Sequence, residues 1–364
     1  MKNINYLFLI IAMFFASCEN QEWEFPDFEY QTVYFAHQYP VRTITLGDDI
    51  FDTSLDNEWK FKIMATTGGV YKNEKDIAVG VTVDNALVKD LLFEAGGNEI
   101  LAMPDEYYSL ASDKIIIPGG SLVGGVEVQL TEAFFADPLS IQKNYVIPMR
   151  MTYVEGADSI LSGVGGNDGP RRGVSGDWAI QPKDFTFYAV KFINPWHGFY
   201  LRRGEDEITR DGVPSSVVRH AEFVEDDDVF ELTTLSFNDL LFPLDYKSKE
   251  GHDLGVKIKL NFDDDQKATV SPEALSYQVN DSVRVYNVAA SGTGSFVEKG
   301  EKKSWGNQDR DALYLEYDVS YEVEIKFPKA GLADDIEQVT YSTTDTLVMR
   351  NRGVVMETFS PVLK

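Results

Sequence analysis

The chain has 364 residues, with 33 basic and 59 acidic side chains, a net charge of -26 and a single cysteine. So negative a chain is repelled by nucleic acid and by anionic membrane surfaces, which argues against both as partners. With 13% aromatic residues and 28 glycines but no low-complexity tract, it reads as folded and β-rich rather than disordered. The chain opens with Lys2, a nearly continuous apolar run from Tyr6 to Ala16 and small residues before Cys18, the pattern of a secretory leader over residues 1–17. The apolar run is about half of the ~20 residues a membrane-spanning helix needs, so removal rather than spanning is expected. Lys2 is the only charge in the leader, so its loss takes the net charge from -26 to -27. No cysteine remains for a disulfide, and the rest of the chain must be held by ordinary cores, with length enough for two domains. Residues 18–28, with the acidic run Glu19-Asn20-Gln21-Glu22-Trp23-Glu24, read as a tether.

From residue 29 onward strand signals dominate. Thr32 to Phe35, Val41 to Leu46, Trp59 to Ile63, Ile77 to Val83, Ile115 to Ile117, Val126 to Leu130, Tyr145 to Tyr153 and Phe185 to Phe192 are short, and several alternate apolar with polar residues. Glycine pairs such as Gly68-Gly69, Gly96-Gly97 and Gly119-Gly120 punctuate them. The best helix candidate is Asn85 to Phe93. The pattern predicts an antiparallel sandwich of immunoglobulin-like type over 29–194, although the Cys…Trp…Cys signature of true immunoglobulin domains is absent. Ser162 to Asp177 is the longest irregular stretch and reads as an exposed loop, because no Lys-Ser/Thr follows its glycines as a phosphate loop requires.

Pro195 follows the last sandwich strand and marks a boundary. After Trp196 to Leu201 amphipathic strands recur at Val229 to Phe237, Gly255 to Phe262, Ser282 to Ala289, Gly294 to Val297, Ala312 to Ile325 and Gln338 to Arg350. A meander of about eight such strands predicts an up-and-down β-barrel over 195–364. The fold class is therefore all-β, a sandwich followed by a barrel.

No pattern of catalytic or metal-binding residues emerges. Glu205/Glu207 and Asp309/Asp311 could meet the separation of a glycosidase carboxylate pair, roughly 5 to 9.5 Å, but read as solvated strand edges in so acidic a chain. His37, His197, His220 and His252 are scattered and have no cysteine partners, so no zinc motif is recognisable. Glu225 to Asp228 and Asp263 to Asp265 lack calcium-loop spacing and read as acidic turns. No Gly-x-Ser-x-Gly elbow occurs. No metal or cofactor is expected.

Sugar recognition needs an aromatic face for C–H surfaces and Asp, Asn, Gln or Arg for hydroxyls. Trp305-Gly306-Asn307-Gln308-Asp309-Arg310 supplies that mixture in one loop, and binding residues favour loops on rigid scaffolds. Trp305 is either a ligand platform or a plug at one barrel end. Trp178, after the glycine-rich loop, is either a second platform or a strand anchor. Trp59 alternates with Phe61 and Ile63 and reads as core, Trp196 and Tyr200 read as barrel-closing, and Arg202, Arg203 and Arg350 read as partners for nearby carboxylates.

Several strings carry a family resemblance. Ala16-Ser17-Cys18 resembles the lipobox of bacterial lipoproteins, with Phe15 where leucine is usual. That implies a lipidated Cys18 as the first mature residue and a stable anchor. The acidic run after it resembles the surface-export signal of Bacteroidota lipoproteins. Tyr34-Phe35-Ala36-His37-Gln38-Tyr39-Pro40, Asp184-Phe185-Thr186-Phe187-Tyr188, Asn194-Pro195-Trp196-His197-Gly198, Arg310-Asp311-Ala312-Leu313-Tyr314 and Asp345-Thr346-Leu347-Val348-Met349-Arg350 resemble a Bacteroidota outer-membrane lipoprotein family. Its first domain is the Ig-like domain of surface glycan-binding proteins and some secreted glycosidases, and its second is lipocalin-like. The resemblance implies an outer-membrane, outward-facing protein that captures a glycan without catalysis, beside a SusD-like lipoprotein and a TonB-dependent transporter. A glycoside hydrolase and an assembly lipoprotein that docks a transporter are the alternatives.

Overall fold

The computed structural model describes residues 29–326 and 335–364. The leader, Cys18 and the tether lie outside the described residues.

Among the described residues fourteen strands precede Pro195: β1 (Thr32–Tyr34), β2 (Pro40–Thr45), β3 (Lys60–Gly68), β4 (Ile77–Val83), β5 (Leu91–Leu92), β6 (Leu101–Ala102), β7 (Tyr108–Leu110), β8 (Lys114–Ile117), β9 (Val123–Leu130), β10 (Tyr145–Glu155), β11 (Ser159–Ile160), β12 (Val164–Gly165), β13 (Trp178–Ile180) and β14 (Phe185–Ile193). Two sheets form the sandwich, one in the order β11-β1-β3-β9-β7 and one containing β2-β14-β10-β4-β8. Alternation drives the packing. Phe61, Ile63 and Ala65 of β3 and Val126, Val128 and Leu130 of β9 all point into the space between the sheets, where Ile147, Met149, Val190 and Phe192 meet them.

The expected helix over Asn85 to Phe93 is not formed. One 3-10 turn at Asn85–Val88, capped by the Asp84 carboxylate on the Ala86 N–H (3.2 Å), ends where Asp90 takes a left-handed φ of 60°. Leu91 then starts a strand, because Leu91 and Phe93 cover a second small core over Phe185 and Phe187 on the outside of the sandwich.

The second domain contains β15 (Gly198–Arg210), β16 (Val213–Arg219), β17 (Asp228–Thr234), β18 (Asp239–Pro243), β19 (Lys257–Phe262), β20 (Lys267–Pro272), β21 (Tyr277–Asn280), β22 (Val283–Glu301), β23 (Arg310–Ile325) and β24 (Asp335–Asn351). Neighbours pair in the order β15-β17-β18-β19-β20-β22-β23-β24, and β24 pairs back to β15, so eight strands close an antiparallel barrel. Where Ser282 to Ala289 and Gly294 to Val297 read as separate strands, one 19-residue strand runs through; bulges absorb the irregularity, with Asn287 at φ 53° and Lys299 at φ 50°. The interior is packed. Leu232, Leu240, Phe242, Ile258, Leu260, Leu313, Val319 and Leu347 are wholly buried.

Polar residues share that interior. Arg202 donates from Nε to Asp345 Oδ2 (3.0 Å) and from Nη2 to Tyr317 (3.1 Å), and the Tyr317 hydroxyl donates to the same Asp345 oxygen (2.8 Å). Arg219 reaches Asp345 Oδ1 at 2.6 Å and also pairs with Asp206. The Arg202 guanidinium lies 4.9 Å from the Phe230 ring centre and 5.2 Å from that of Phe242. Burial opposes its charge, but the neighbouring Tyr317 and Asp345 outweigh burial and raise its pKa.

The last residues leave the barrel. Two strands, β25 (Glu357–Thr358) and β26 (Val362–Leu363), pair with β2 and β5 of the sandwich, and Phe359 packs on Tyr39 and Phe93. Three further contacts fix the two domains together. Arg352, 4% exposed, donates to four backbone carbonyls: His197 (2.6 Å), Asp48 (2.9 Å), Leu46 (3.1 Å) and Asn194 (2.7 Å). Asn194 Nδ2 donates to the carbonyls of Ser236 and Asp239. Phe237, from the β17–β18 turn, meets Trp59 and Phe135 edge-on at 6.0 and 5.6 Å. Gly47 lets the chains approach: its φ is +84° and an added Cβ would lie 3.0 Å from Pro195.

His197 at this junction accepts the Thr234 N–H on Nδ1 (3.1 Å). Burial, with smaller contributions from Arg352 and Lys191, lowers its pKa from 6.5 to about 4. The unfolded chain therefore takes up this proton first as pH falls, so the contribution is complete above pH 6.5 and is lost progressively towards pH 4. At about 1.4 kcal/mol per pH unit of separation, the loss reaches about 3 kcal/mol. His197→Asn keeps an acceptor for Thr234 and removes the titration, so its melting temperature is expected to fall less between pH 7 and pH 4.5 than that of the parent. An equal fall in both proteins would show that His197 does not carry the dependence.

Candidate functional site

The docked domains leave a cleft along their seam. One lobe, of about 500 Å³, lies between the sandwich loop 48–57 and the ends of β22, β23 and β24. A second lobe, of about 360 Å³, continues past Asp48, Asn57 and Asp311, which line both. The sandwich loop has a fixed shape. Asn57 accepts the Gly47 N–H (2.7 Å) and donates to the Gly47 carbonyl (3.1 Å), and the buried Asp56 pairs with Arg42 and accepts the Thr45 N–H (2.9 Å). Burial pushes the Asp56 pKa up against these lowering contacts.

The second lobe has the mixture that sugar binding requires. Trp59 and Phe237 supply apolar faces, backed by the buried rings of Trp196 and Phe296, and Asn238, Asp263, Asp264, Gln266 and Glu298 surround them. Trp196 is pinned, its ring stacked 4.0 Å from Phe262 and its indole N–H donating to Gln266 (2.8 Å). Asp263 is spent on the hairpin turn, accepting the N–H groups of Asp265 (3.0 Å) and Lys267 (2.9 Å). Asp264 and Asn238 are exposed at the lobe's edge, free to meet hydroxyls.

The sequence-derived candidates fall in three places. Asp309 and Arg310 line the first lobe. Trp305 stands beside it in a short turn at Trp305–Asn307, partly buried, with the Arg310 guanidinium 4.5 Å and the Arg350 guanidinium 5.8 Å from its ring centre. A guanidinium thus already occupies a face of this indole. Asn307 and Gln308 are exposed and shape the turn: the Asn307 N–H donates to the Ser304 carbonyl, and the Gln308 carbonyl accepts the Ser304 N–H, both at 2.8 Å. Asp309 accepts from the Lys303 N–H (3.1 Å) and pairs with Lys302 (3.2 Å). Trp178 is elsewhere, on the β12–β13 hairpin of the sandwich, its N–H donated to the Arg171 carbonyl (2.8 Å) and its ring 5.9 Å from Arg172. It lines neither lobe.

Other residues depart from the sequence reading. Trp59 is not simply core; it packs on Phe135 at 4.8 Å but opens onto the second lobe. Arg202 and Arg203 pair with Asp345 and Asp227, whereas Arg350 lies against no carboxylate among the described residues. Glu205 and Glu207 point outward from the barrel, on either side of the inward Asp206. Sequence reasoning missed the second lobe because its aromatics come from the sandwich, the linker, one turn and β22. Trp196, which lines it, reads from the sequence as barrel-closing, and its stacking on Phe262 agrees with that role.

Residues 195–353 match the model of a domain of unknown function, DUF5627, and residues 28–158 match the model of an N-terminal domain. A solved structure of a protein of unknown function from Bacteroides ovatus is 43% identical, with a TM-score of 0.81, over 93% of this chain and 100% of that one. The chain belongs to that protein's family. An auxiliary nutrient binding protein from Bacteroides thetaiotaomicron aligns over 85% of this chain and 90% of its own, at 13% identity and a TM-score of 0.35. A multidomain protein including DUF1735 from Bacteroides ovatus aligns over 90% and 97%, at 13% identity and a TM-score of 0.40. Neither of these two likenesses bears on function. No curated protein matches the chain.

Proposed function

We propose that this family member is a non-catalytic glycan-capture protein. In this reading Cys18 carries the lipid anchor at the outer membrane, the domains face the exterior, and a SusD-like lipoprotein and a TonB-dependent transporter receive the glycan. The observation that supports capture is the inter-domain cleft, where Trp59, Trp196, Phe237 and Phe296 lie among Asn238, Asp264 and Gln266. Aromatic faces take the apolar side of a pyranose and the polar ring takes its hydroxyls. Arg352 and Asn194 hold the cleft walls, so little ordering is needed on binding. The barrel interior, being filled by side chains, does not compete as the ligand site.

A glycan array probed with residues 19–364, Cys18 being omitted so that the protein is soluble, tests the reading. Binding to one polysaccharide class without release of reducing sugar is the expected result. Reducing-sugar release would favour a hydrolase, and silence across plant, host and microbial glycans would favour an assembly role.

A further inference from the structure

The first lobe of the cleft has a charge arrangement that neutral sugars do not need. Arg310 and Arg350 both line it and both stand over the Trp305 ring, at 4.5 and 5.8 Å. In a chain with 59 acidic against 33 basic residues, an arginine ordinarily has a carboxylate beside it, as Arg42, Arg171, Arg172, Arg202, Arg203 and Arg219 do here. Arg310 and Arg350 have none among the described residues. Arg310 spends only Nε, on the Trp305 carbonyl (3.0 Å).

Five aspartates, Asp48, Asp49, Asp52, Asp309 and Asp311, also line the lobe, and none of them forms an ion pair with Arg310 or Arg350. Asp52 caps Ser54 through its N–H (2.9 Å) and hydroxyl (2.5 Å), and Asp49 accepts the Ile50 N–H (2.6 Å). Asp309 holds Lys302 and the Lys303 N–H, and Asp311 accepts the Lys299 N–H (2.8 Å). Two like charges thus lie 4.5 and 5.8 Å from one indole centre, and neither is paired with a carboxylate among the described residues. Contact with the ring restrains the guanidinium groups, and the Nη groups of Arg310 and Arg350 have no hydrogen-bond partner among the described residues. Planar forks of this kind suit the two oxygens of a carboxylate or sulfate group.

We propose that the cleft takes an anionic glycan, with Arg350 and Arg310 binding the acidic groups, carboxylate or sulfate, of its sugars. The proposal rests on the capture reading and assigns its ligand class. The aromatic second lobe would seat the adjoining sugar rings.

Calorimetric titration of residues 19–364 with oligogalacturonides, chondroitin sulfate oligosaccharides, and neutral xylo- and manno-oligosaccharides tests it, alongside Arg350→Gln. Arg350 is exposed and its side chain has no hydrogen bond or ion pair among the described residues, so the variant should keep the parent's melting temperature. At least one acidic ligand is expected to bind tenfold or more tightly than the neutral ones, and Arg350→Gln to lose at least tenfold of that affinity. Desulfated chondroitin oligosaccharides, which keep the uronate, separate uronate from sulfate. Tight binding of a neutral oligosaccharide that Arg350→Gln leaves intact would overturn the anionic assignment and leave capture standing. Silence from these ligands and from the glycan array alike would overturn capture, and the assignment with it.

Discussion

Asp345→Ala is expected to destabilise the protein by about 3–5 kcal/mol, the cost of breaking a buried ion pair from one side. Asp345 is 1% exposed and carries Arg202, Arg219 and the Tyr317 hydroxyl on its two oxygens. Its loss leaves the Arg202 guanidinium charged beside the Phe230 and Phe242 rings, with the side chain only 3% exposed. The pair's net value is a different quantity from the cost of breaking it. Removing both charges with Arg202→Met and Asp345→Leu should therefore be much milder than the single change. Chemical denaturation of the single and the double variant checks this. A single variant within about 1 kcal/mol of the parent would mean that Arg202 has another way to reach solvent.

Arg352→Ala is expected to cost about 3 kcal/mol or more and to uncouple the domains. Four carbonyls, two from the sandwich loop and two from the linker, lose their shared donor in a site only 4% exposed. Hydrogen bonds to a charged donor contribute about 1.5–3 kcal/mol each, but water entering the gap and the remaining contacts of Phe237 and Asn194 offset part of that sum. Because the domains have separate cores, the parent should unfold in one calorimetric transition and the variant in two. A single transition at the parent's temperature would show that Arg352 does not couple them.

Much of the fold was legible because it rests on alternation. β3, β9, β19, β23 and β24 each keep a period of two, and a meander of such strands has few ways to bury its faces other than a barrel. The buried charges were legible only by parity. Asp345, Thr343 and Glu337 share the phase of Val339, Tyr341 and Leu347 in β24, and Arg202 and Asp206 share that of Tyr200 in β15. Polarity hid them, since a charged residue in a strand ordinarily reads as outward. The helix expected at Asn85 to Phe93 failed because apolar residues there answer to the outer core rather than to a helical face. The tail strands β25 and β26 could not be foreseen, because two-residue strands carry no period of their own.

The site was legible in part. The loop at Trp305 to Arg310 does contribute to the cleft, through Asp309 and Arg310. Its tryptophan turned out to serve as a stacking base for arginines, a role that composition alone cannot separate from sugar stacking. The larger omission is the seam itself. A cleft formed by docking two domains has no local sequence signature, and Asp48, Asn57 and Asp311, its shared residues, are ordinary loop residues when read singly.

Whether the inter-domain cleft holds the glycan is decided by the affinity of the Asn238→Ala/Asp264→Ala variant. Both residues line the second lobe from exposed positions, so folding should be undisturbed. Losing two hydroxyl hydrogen bonds, at about 1 kcal/mol each, predicts roughly thirtyfold weaker binding of the array-selected glycan at an unchanged melting temperature. Unchanged affinity would contradict the account and move the binding site away from the seam.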